Sequence, residues 1–186
     1  MKSKSCGVNG ISVRMIKLIS PIIISSITAV INASLREACF THWWKKALLQ
    51  ALSKKSTPQS SSDTRHIVQL PELSKILEKT VFVQLMHYLK ANQILDPRQA
   101  GYRTGHSPQA ALLAVTEDAR EALGSEMITL LVLFDFSKAF VTIPHKKLLN
   151  KLRTLCRYSD RSLRWFFTYL YGRVQAVVDD GGFVSA

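Results

Sequence analysis

The chain has 186 residues, of which 47% are hydrophobic and 20% are charged, so it is long enough to form one domain with a hydrophobic core. Its 25 Lys and Arg residues outnumber its 13 Asp and Glu residues, which leaves a formal net charge of +12. This excess favours a polyanionic partner such as nucleic acid, because each phosphate that a cation neutralises releases condensed counterions. The alternative is a basic surface that only contacts solvent. The 3 cysteines are far apart and form no Cys-X-X-Cys pair, which predicts neither a disulfide framework nor a zinc site and fits a reducing compartment.

The N-terminal part of the chain contains isoleucines at helical spacing. Residues 11–37 are predicted to form one or two core helices, with a break at Pro21. Within them, the apolar residues 18–31 follow a basic start and could be mistaken for a signal peptide or a membrane span. Serine and threonine residues interrupt this stretch, and it is shorter than the ~20 apolar residues that cross a bilayer. The sequence therefore predicts an intracellular protein that is not secreted and has no membrane partner.

The middle of the chain predicts a strand, a loop and two helices, in that order. Residues 45–52 are a candidate strand, and residues 53–64, rich in Ser, Lys, Pro and Gln, are a candidate loop. An apolar stripe predicts a helix at residues 73–91. Residues 110–123 predict a further helix, which ends at Gly124.

A nearly continuous apolar run follows, at residues 127–136. Its length and its polar flanks predict a strand that is buried on both faces, with Asp135 at its end. Helical patterns then occupy residues 145–155 and 162–171.

Four segments, in order along the chain, resemble the reverse transcriptases of non-LTR retrotransposons. They are Gly7-Val-Asn-Gly-Ile11 with the later Asn32-Ala-Ser-Leu-Arg36 and Trp44-Lys45; Leu73-Ser-Lys-Ile-Leu-Glu78; Gln99-Ala-Gly-Tyr-Arg-Thr-Gly-His-Ser107; and Phe134-Asp-Phe-Ser-Lys-Ala-Phe140 with the later Tyr169-Leu-Tyr-Gly-Arg-Val-Gln175. Each motif alone is weak, because a short motif is only a hypothesis. Their shared order and their spread over almost the whole chain make the resemblance specific.

The resemblance implies an α/β fold of the right-hand polymerase type, the reverse-transcriptase fold, present only in part. The chain would then be a single partial domain, with residues 1–126 in the fingers and residues 127–186 at the start of the palm. The implied activity is RNA-directed DNA polymerisation. Its implied cofactor is Mg²⁺, and its implied partners are an RNA template, a DNA primer and deoxynucleoside triphosphates. The oligomeric state stays open.

Asp135 is the residue that the resemblance assigns to catalysis and to the metal. Nucleotidyl transfer uses two metal ions held by carboxylates, and a rigid strand end suits such a ligand. For an isolated aspartate at a strand end, the alternative is a solvated surface residue. The resemblance also assigns nucleotide contacts to Phe136, Phe140, Arg65 and Arg103. The alternative for Phe140 is an aromatic side chain in the core, and the alternative for Arg65 and Arg103 is an arginine on the surface.

Departures from the family's pattern indicate a second function. Val141 stands where the family has an aspartate that supports the site without binding the metal. The chain also reaches Ala186 before the family's Asp-Asp turn, so two of three catalytic carboxylates are missing. Asp179 and Asp180 do not replace them, because Asp-Asp-Gly-Gly within the alternating residues 173–186 is typical of a hairpin turn. The chain alone is therefore expected to be inactive. The alternative function is a non-catalytic, basic nucleic-acid-binding remnant of a decayed mobile element; a helical interaction protein is a third reading, which the charge disfavours.

Overall fold

The computed structural model describes residues 7–53, 64–136, 139–179 and 182–184. Its elements, in chain order, are α1 (Val13–Arg36), a short 3₁₀ helix (His42–Trp44), β1 (Lys46–Ser53), β2 (Thr64–Gln69), α2 (Glu72–Ala91), α3 (Pro108–Gly124), α4 (His145–Thr154), α5 (Asp160–Leu170), β3 (Val174–Asp179) and β4 (Gly182–Val184). Helices together with a small sheet are compatible with the predicted α/β class. The division into fingers and palm stays a prediction.

The chain separates into two units. Unit 1 comprises residues 1–85 and 145–186, and unit 2 comprises residues 86–144. Unit 1 holds all four strands of the described residues, whereas α3 lies in unit 2.

The first helix, α1, runs without interruption through Pro21, so the predicted break is wrong. A proline has no N–H, and the carbonyl four residues earlier, that of Lys17, therefore lacks its usual helical donor. The hydroxyl of Ser20 donates to this carbonyl at 2.9 Å and replaces the missing hydrogen bond. Pro21 itself is exposed, so no neighbouring element is displaced by its ring.

Among the described residues, α1 is also the one helix long and apolar enough to cross a membrane by length and composition, with a mean hydropathy of 1.9. The core helix of a soluble protein passes the same test when it is mostly buried, whereas α1 is mostly exposed, with Leu18 and Ile22 each 81% exposed. Because α1 is continuous, shortness does not exclude a membrane span.

The sheet has the strand order β2-β1-β3-β4. β1 pairs antiparallel with β2 and parallel with β3, where Lys46 lies opposite Val174. The strand predicted at residues 45–52 is therefore confirmed, and the central part of the predicted loop, residues 54–63, lies outside the described residues.

The hairpin predicted near the end of the chain is also confirmed. β3 pairs antiparallel with β4, and Asp179 lies opposite Gly182. Asp179 is thus the last residue of a strand rather than a turn residue. Asp180 lies outside the described residues.

The remaining helix predictions hold with shifts of one or two residues at their ends. α2, α4 and α5 match the stretches predicted from their apolar stripes. α3 begins two residues earlier than predicted, because the hydroxyl of Ser107 accepts a hydrogen bond from the N–H of Ala110 and caps the helix.

Residues 127–136 do not form a strand, so this prediction is wrong. None of them lies in a helix or strand, and Ile128 and Phe134 are 98% and 81% exposed. A strand exists only where its backbone groups pair with a neighbouring strand. The sheet of the described residues lies in unit 1, whereas this run belongs to unit 2. An apolar composition is therefore not sufficient to make it a buried strand.

The core of unit 1 is built around Phe40, which is 1% exposed. Its ring meets those of Trp44, Trp165 and Tyr169 edge-on, with centroids 6.1, 5.8 and 5.2 Å apart. This geometry places the positive ring edges against negative ring faces, which adds to the hydrophobic contribution of burial. The buried cluster consists of Ile31, Ala38, Phe40, Leu77 and Trp165.

Candidate nucleotide site and the motif segments

The third and fourth motif segments contact each other in unit 2 through two aromatic rings. Tyr102 and Phe140 meet edge-on with their centroids 5.8 Å apart. Tyr102 has a φ of 58°, which is uncommon for a residue other than glycine. The two side chains are 79% and 72% exposed, so the contact is not part of a buried core. The structure thus pairs Phe140, a predicted nucleotide contact, with a tyrosine that the sequence reasoning did not single out.

Arg103 orders its own loop. Its Nη1 donates to the backbone carbonyl of Asp96 at 2.7 Å, to that of Gln99 at 3.2 Å and to that of Pro97 at 3.5 Å. The Nε atom is buried without a hydrogen-bond partner in the described part of the chain. The three carbonyls close the loop between α2 and α3 around one guanidinium group. A nucleotide contact by Arg103 stays a prediction. Because Nη1 already donates to backbone carbonyls, such a contact would use another nitrogen of the guanidinium group.

Asp135 and Phe136 end the irregular run that precedes residues 137–138, which lie outside the described residues. Both are exposed, Phe136 to 75%. Mg²⁺ needs several oxygen ligands in fixed positions. Within the described ranges, no group of three or more His, Cys, Asp or Glu side chains could hold a metal ion. Asp135 therefore offers one ligand and not a complete site, and its role in metal binding stays a prediction.

Arg65, the last of the predicted site residues, lies on β2 opposite Leu52 of β1. It belongs to unit 1, whereas Asp135, Phe136, Phe140 and Arg103 belong to unit 2. A phosphate contact by Arg65 also stays a prediction.

The first motif segment is a turn that packs against the start of α2. The N–H of Gly10 donates to the carbonyl of Gly7 at 3.0 Å, and Gly10 has a φ of +68°, which favours glycine. A Cβ atom on Gly7 would lie 2.7 Å from backbone atoms of Pro71. Backbone geometry therefore explains both glycines, without any contact to a ligand.

A polar network joins the second segment to the fourth. Arg173 donates through Nη2 to the Glu78 carboxylate at 3.2 Å and through Nε to the Tyr169 carbonyl at 2.8 Å. Its guanidinium lies over the ring of Tyr169 at 4.2 Å and over that of Phe40 at 5.3 Å. Glu78 and Arg173 thus hold the aromatic core of unit 1 together. In the sequence, Glu78 and Arg173 stand out only as members of the second and fourth motif segments. Their opposite charges are the one sequence feature that indicates an ion pair.

The network predicts a loss of stability at high pH. Burial, and then the negative charge of Glu78, raise the pKa of Tyr169 above its ordinary value of 10.0. In the unfolded chain this hydroxyl ionises first as the pH rises, so the unfolded state is favoured above about pH 10. The free energy of unfolding, measured with urea, should fall above that pH in the wild type and fall less in Tyr169→Phe. Equal slopes in the wild type and in Tyr169→Phe would contradict the prediction.

Comparison with known proteins agrees with the motif segments. No protein-family profile matches the chain. The "Probable RNA-directed DNA polymerase from transposon BS" of Drosophila melanogaster is 28% identical over 153 residues, which are 82% of this chain and 17% of that protein. The corresponding polymerase from transposon X-element of the same species is 29% identical over 128 residues, 68% of this chain and 14% of that protein. A third relative, the "RNA-directed DNA polymerase from mobile element jockey" of that species, is 26% identical over 143 residues, 76% of this chain and 16% of that protein.

The chain therefore spans less than a fifth of the length of each of these relatives. All three are polymerases of mobile elements, and each match covers more than two thirds of the chain. These three matches confirm the resemblance that the four motif segments indicate: most of the chain is similar to a region of RNA-directed DNA polymerases from mobile elements.

Proposed function

We propose that this chain serves in RNA-directed DNA polymerisation, as part of the reverse transcriptase of a retrotransposon. Its similarity to three mobile-element polymerases, over most of its length, is the observation that carries the proposal. The proposed partners are an RNA template, a DNA primer and deoxynucleoside triphosphates, and the proposed location is intracellular. The net charge of +12 supports a polyanionic partner.

In this proposal Asp135 is a ligand of the catalytic Mg²⁺, while Phe136 and Phe140 contact the nucleotide and Arg65 and Arg103 contact phosphate or template. The exposure of Asp135 leaves its carboxylate accessible to solvent and to ions. The edge-on contact with Tyr102 restrains the ring of Phe140 while leaving it 72% exposed, which suits a surface that receives a nucleotide. When bound, the metal neutralises phosphate charge and activates the primer hydroxyl. The described residues supply one ligand for it, so a complete site needs carboxylates beyond them.

The test is primer extension on an RNA template with Mg²⁺ and deoxynucleoside triphosphates. The protein tested is a hybrid polymerase, in which the 186-residue chain replaces the region that it matches in the polymerase of transposon BS. We expect this hybrid to extend the primer, and we expect a hybrid without the matched region and the 186-residue chain alone not to extend it. A hybrid that binds primer and template as tightly as the parent polymerase but does not extend would contradict the proposal.

A second candidate function is non-catalytic binding of nucleic acid. It is favoured by the same positive charge and by the predicted metal site, for which the described residues supply one carboxylate. Both candidates require that the affinity of the 186-residue chain for RNA or DNA falls steeply as the salt concentration rises. Binding that is independent of salt would exclude both, and extension by the hybrid separates them.

A further inference from the structure

A groove of about 480 Å³ lies between α4 and α5 in unit 1. Lys146 and Arg153 of α4 and Arg164 of α5 line it, together with the apolar side chains of Leu149 and Leu163. All three cations are exposed, whereas Leu163 is 7% exposed and is buried between the helices. The groove therefore combines charged, accessible side chains with apolar side chains, of which Leu163 is buried.

The segment from the start of α4 to Arg164 of α5 carries half of the net positive charge of the chain. Residues 145–164 contain seven cations and one carboxylate, a net +6 and thus half of the total of +12. The carboxylate, Asp160, lies 3.3 Å from Arg153, but the two side chains are 93% and 65% exposed, so water and salt screen this pair. Lys146 and Arg164 have no ion-pair partner in the described part of the chain. Their charges are available to a polyanion.

Aromatic rings lie on the same face of α5 as Arg164. Arg164 and Phe167 are three residues apart, which places them on one side of the helix, and Tyr171 directly follows α5. The rings of Phe167 and Tyr171 are stacked with centroids 4.5 Å apart, and His145 meets Tyr171 edge-on at 5.4 Å. Phe167 nevertheless remains 51% exposed, while the nearby Trp165 is 4% exposed. A supported but accessible ring beside cations is the arrangement on which unpaired bases stack.

We propose that the α4–α5 groove binds a single-stranded polynucleotide, with its phosphates on Lys146, Arg153 and Arg164 and a base on Phe167. The proposal rests on the proposed function and adds the surface at which the chain contacts nucleic acid. A single strand fits because its bases are free to stack on a protein ring, whereas those of a duplex stack on each other. A single strand is favoured over an anionic membrane because the stacked rings of Phe167 and Tyr171 lie beside the cations, where a free base can extend the stack.

The first test separates the groove from the overall charge. Binding of a labelled oligouridylate and of the matching oligothymidylate to the 186-residue chain is measured by fluorescence anisotropy at several salt concentrations. Lys146→Gln with Arg164→Gln removes two charges from the groove. Arg14→Gln with Lys17→Gln removes two exposed charges from α1 and is the matched control. The groove variant should bind at least about tenfold more weakly and lose about 1.4 from the salt slope, since each phosphate contact on a single strand contributes about 0.7. The control should change affinity less than about twofold.

The outcomes distinguish this proposal from the proposed function. Equal weakening in both variants would show that binding depends on diffuse charge; the groove proposal would then be wrong, while nucleic-acid binding would stand. No binding by the wild type would overturn both. Loss of binding to phosphatidylserine vesicles with unchanged oligonucleotide binding would assign the groove to lipid and overturn the proposal.

The second test addresses the base. Phe167→Leu keeps an apolar side chain and removes the ring, so affinity for oligouridylate should fall at least about fivefold, the smallest effect expected of one lost stacking contact. Affinity for an abasic oligonucleotide of the same length should be unchanged. Phe82→Leu, at a phenylalanine of α2 that is 42% exposed, is the control and should not affect either ligand. A Phe167→Leu protein with wild-type melting and wild-type affinity for oligouridylate would show that no base stacks there.

Discussion

Asp135→Asn should lower primer extension by the hybrid polymerase at least about 100-fold, because even residues that only support a metal ligand cost about 10- to 100-fold when they are lost. Asparagine keeps the size of the side chain and one oxygen atom but removes the negative charge that a divalent ion requires. The Mg²⁺ concentration that gives half-maximal extension should rise as well. This second measurement distinguishes loss of a metal ligand from general damage to the protein.

Asp118→Asn is the matched control for this prediction. Asp118 is an exposed carboxylate of α3 in the same unit, so its replacement makes the same chemical change at a surface that the proposed function does not use. We expect less than about a twofold effect on extension, as for most exposed substitutions. Similar activity in the two variants would remove Asp135 from the proposed site.

Phe40→Ala should reduce the free energy of unfolding by about 3–5 kcal/mol, the usual cost of removing a buried phenylalanine from a core. Phe40 is 1% exposed, and its loss would leave three aromatic neighbours and the guanidinium of Arg173 without the ring that they contact. Urea unfolding followed by tryptophan fluorescence measures the change directly, since Trp44 and Trp165 both pack against this ring.

Phe134→Ala makes the same substitution at a side chain that is 81% exposed. Its effect should stay within about 0.5 kcal/mol. This comparison also tests the exposure of residues 127–136. Destabilisation comparable with that of Phe40→Ala would mean that the run is buried, as its apolar composition had predicted.

Sequence patterns predicted those elements whose cause is local. α2 and α5 follow from apolar residues at helical spacing, and the β3–β4 hairpin follows from alternation around a glycine pair. Residues 127–136 were predicted wrongly because a strand depends on a partner that its own composition does not specify. Pro21 was predicted wrongly because one neighbouring hydroxyl, that of Ser20, replaces the lost hydrogen bond.

In the candidate site, too, the sequence predicts the residues of single motifs but not the contacts between residues that are distant along the chain. The resemblance to a family was sufficient to select Asp135 and Phe140, because a motif match assigns a proposed role to each residue that it aligns. It did not reveal that Glu78 and Arg173 form an ion pair, since 95 residues separate them along the chain and only the fold brings them together. It also did not reveal Tyr102 as the neighbour of Phe140, for the same reason.

The parallel pairing of β1 with β3 sets the order in which this chain can fold. All five helices of the described residues precede β3 in the chain. β1 and β2 therefore emerge from the ribosome long before β3, the strand with which β1 pairs. Until then, one edge of β1 has unpaired backbone donors and acceptors and is open to pairing with another chain. Closing so long a loop is entropically costly, and topologies rich in distant contacts fold slowly. We therefore expect refolding to be slow and to lose yield as the protein concentration rises, with aggregation starting at the open edge of β1.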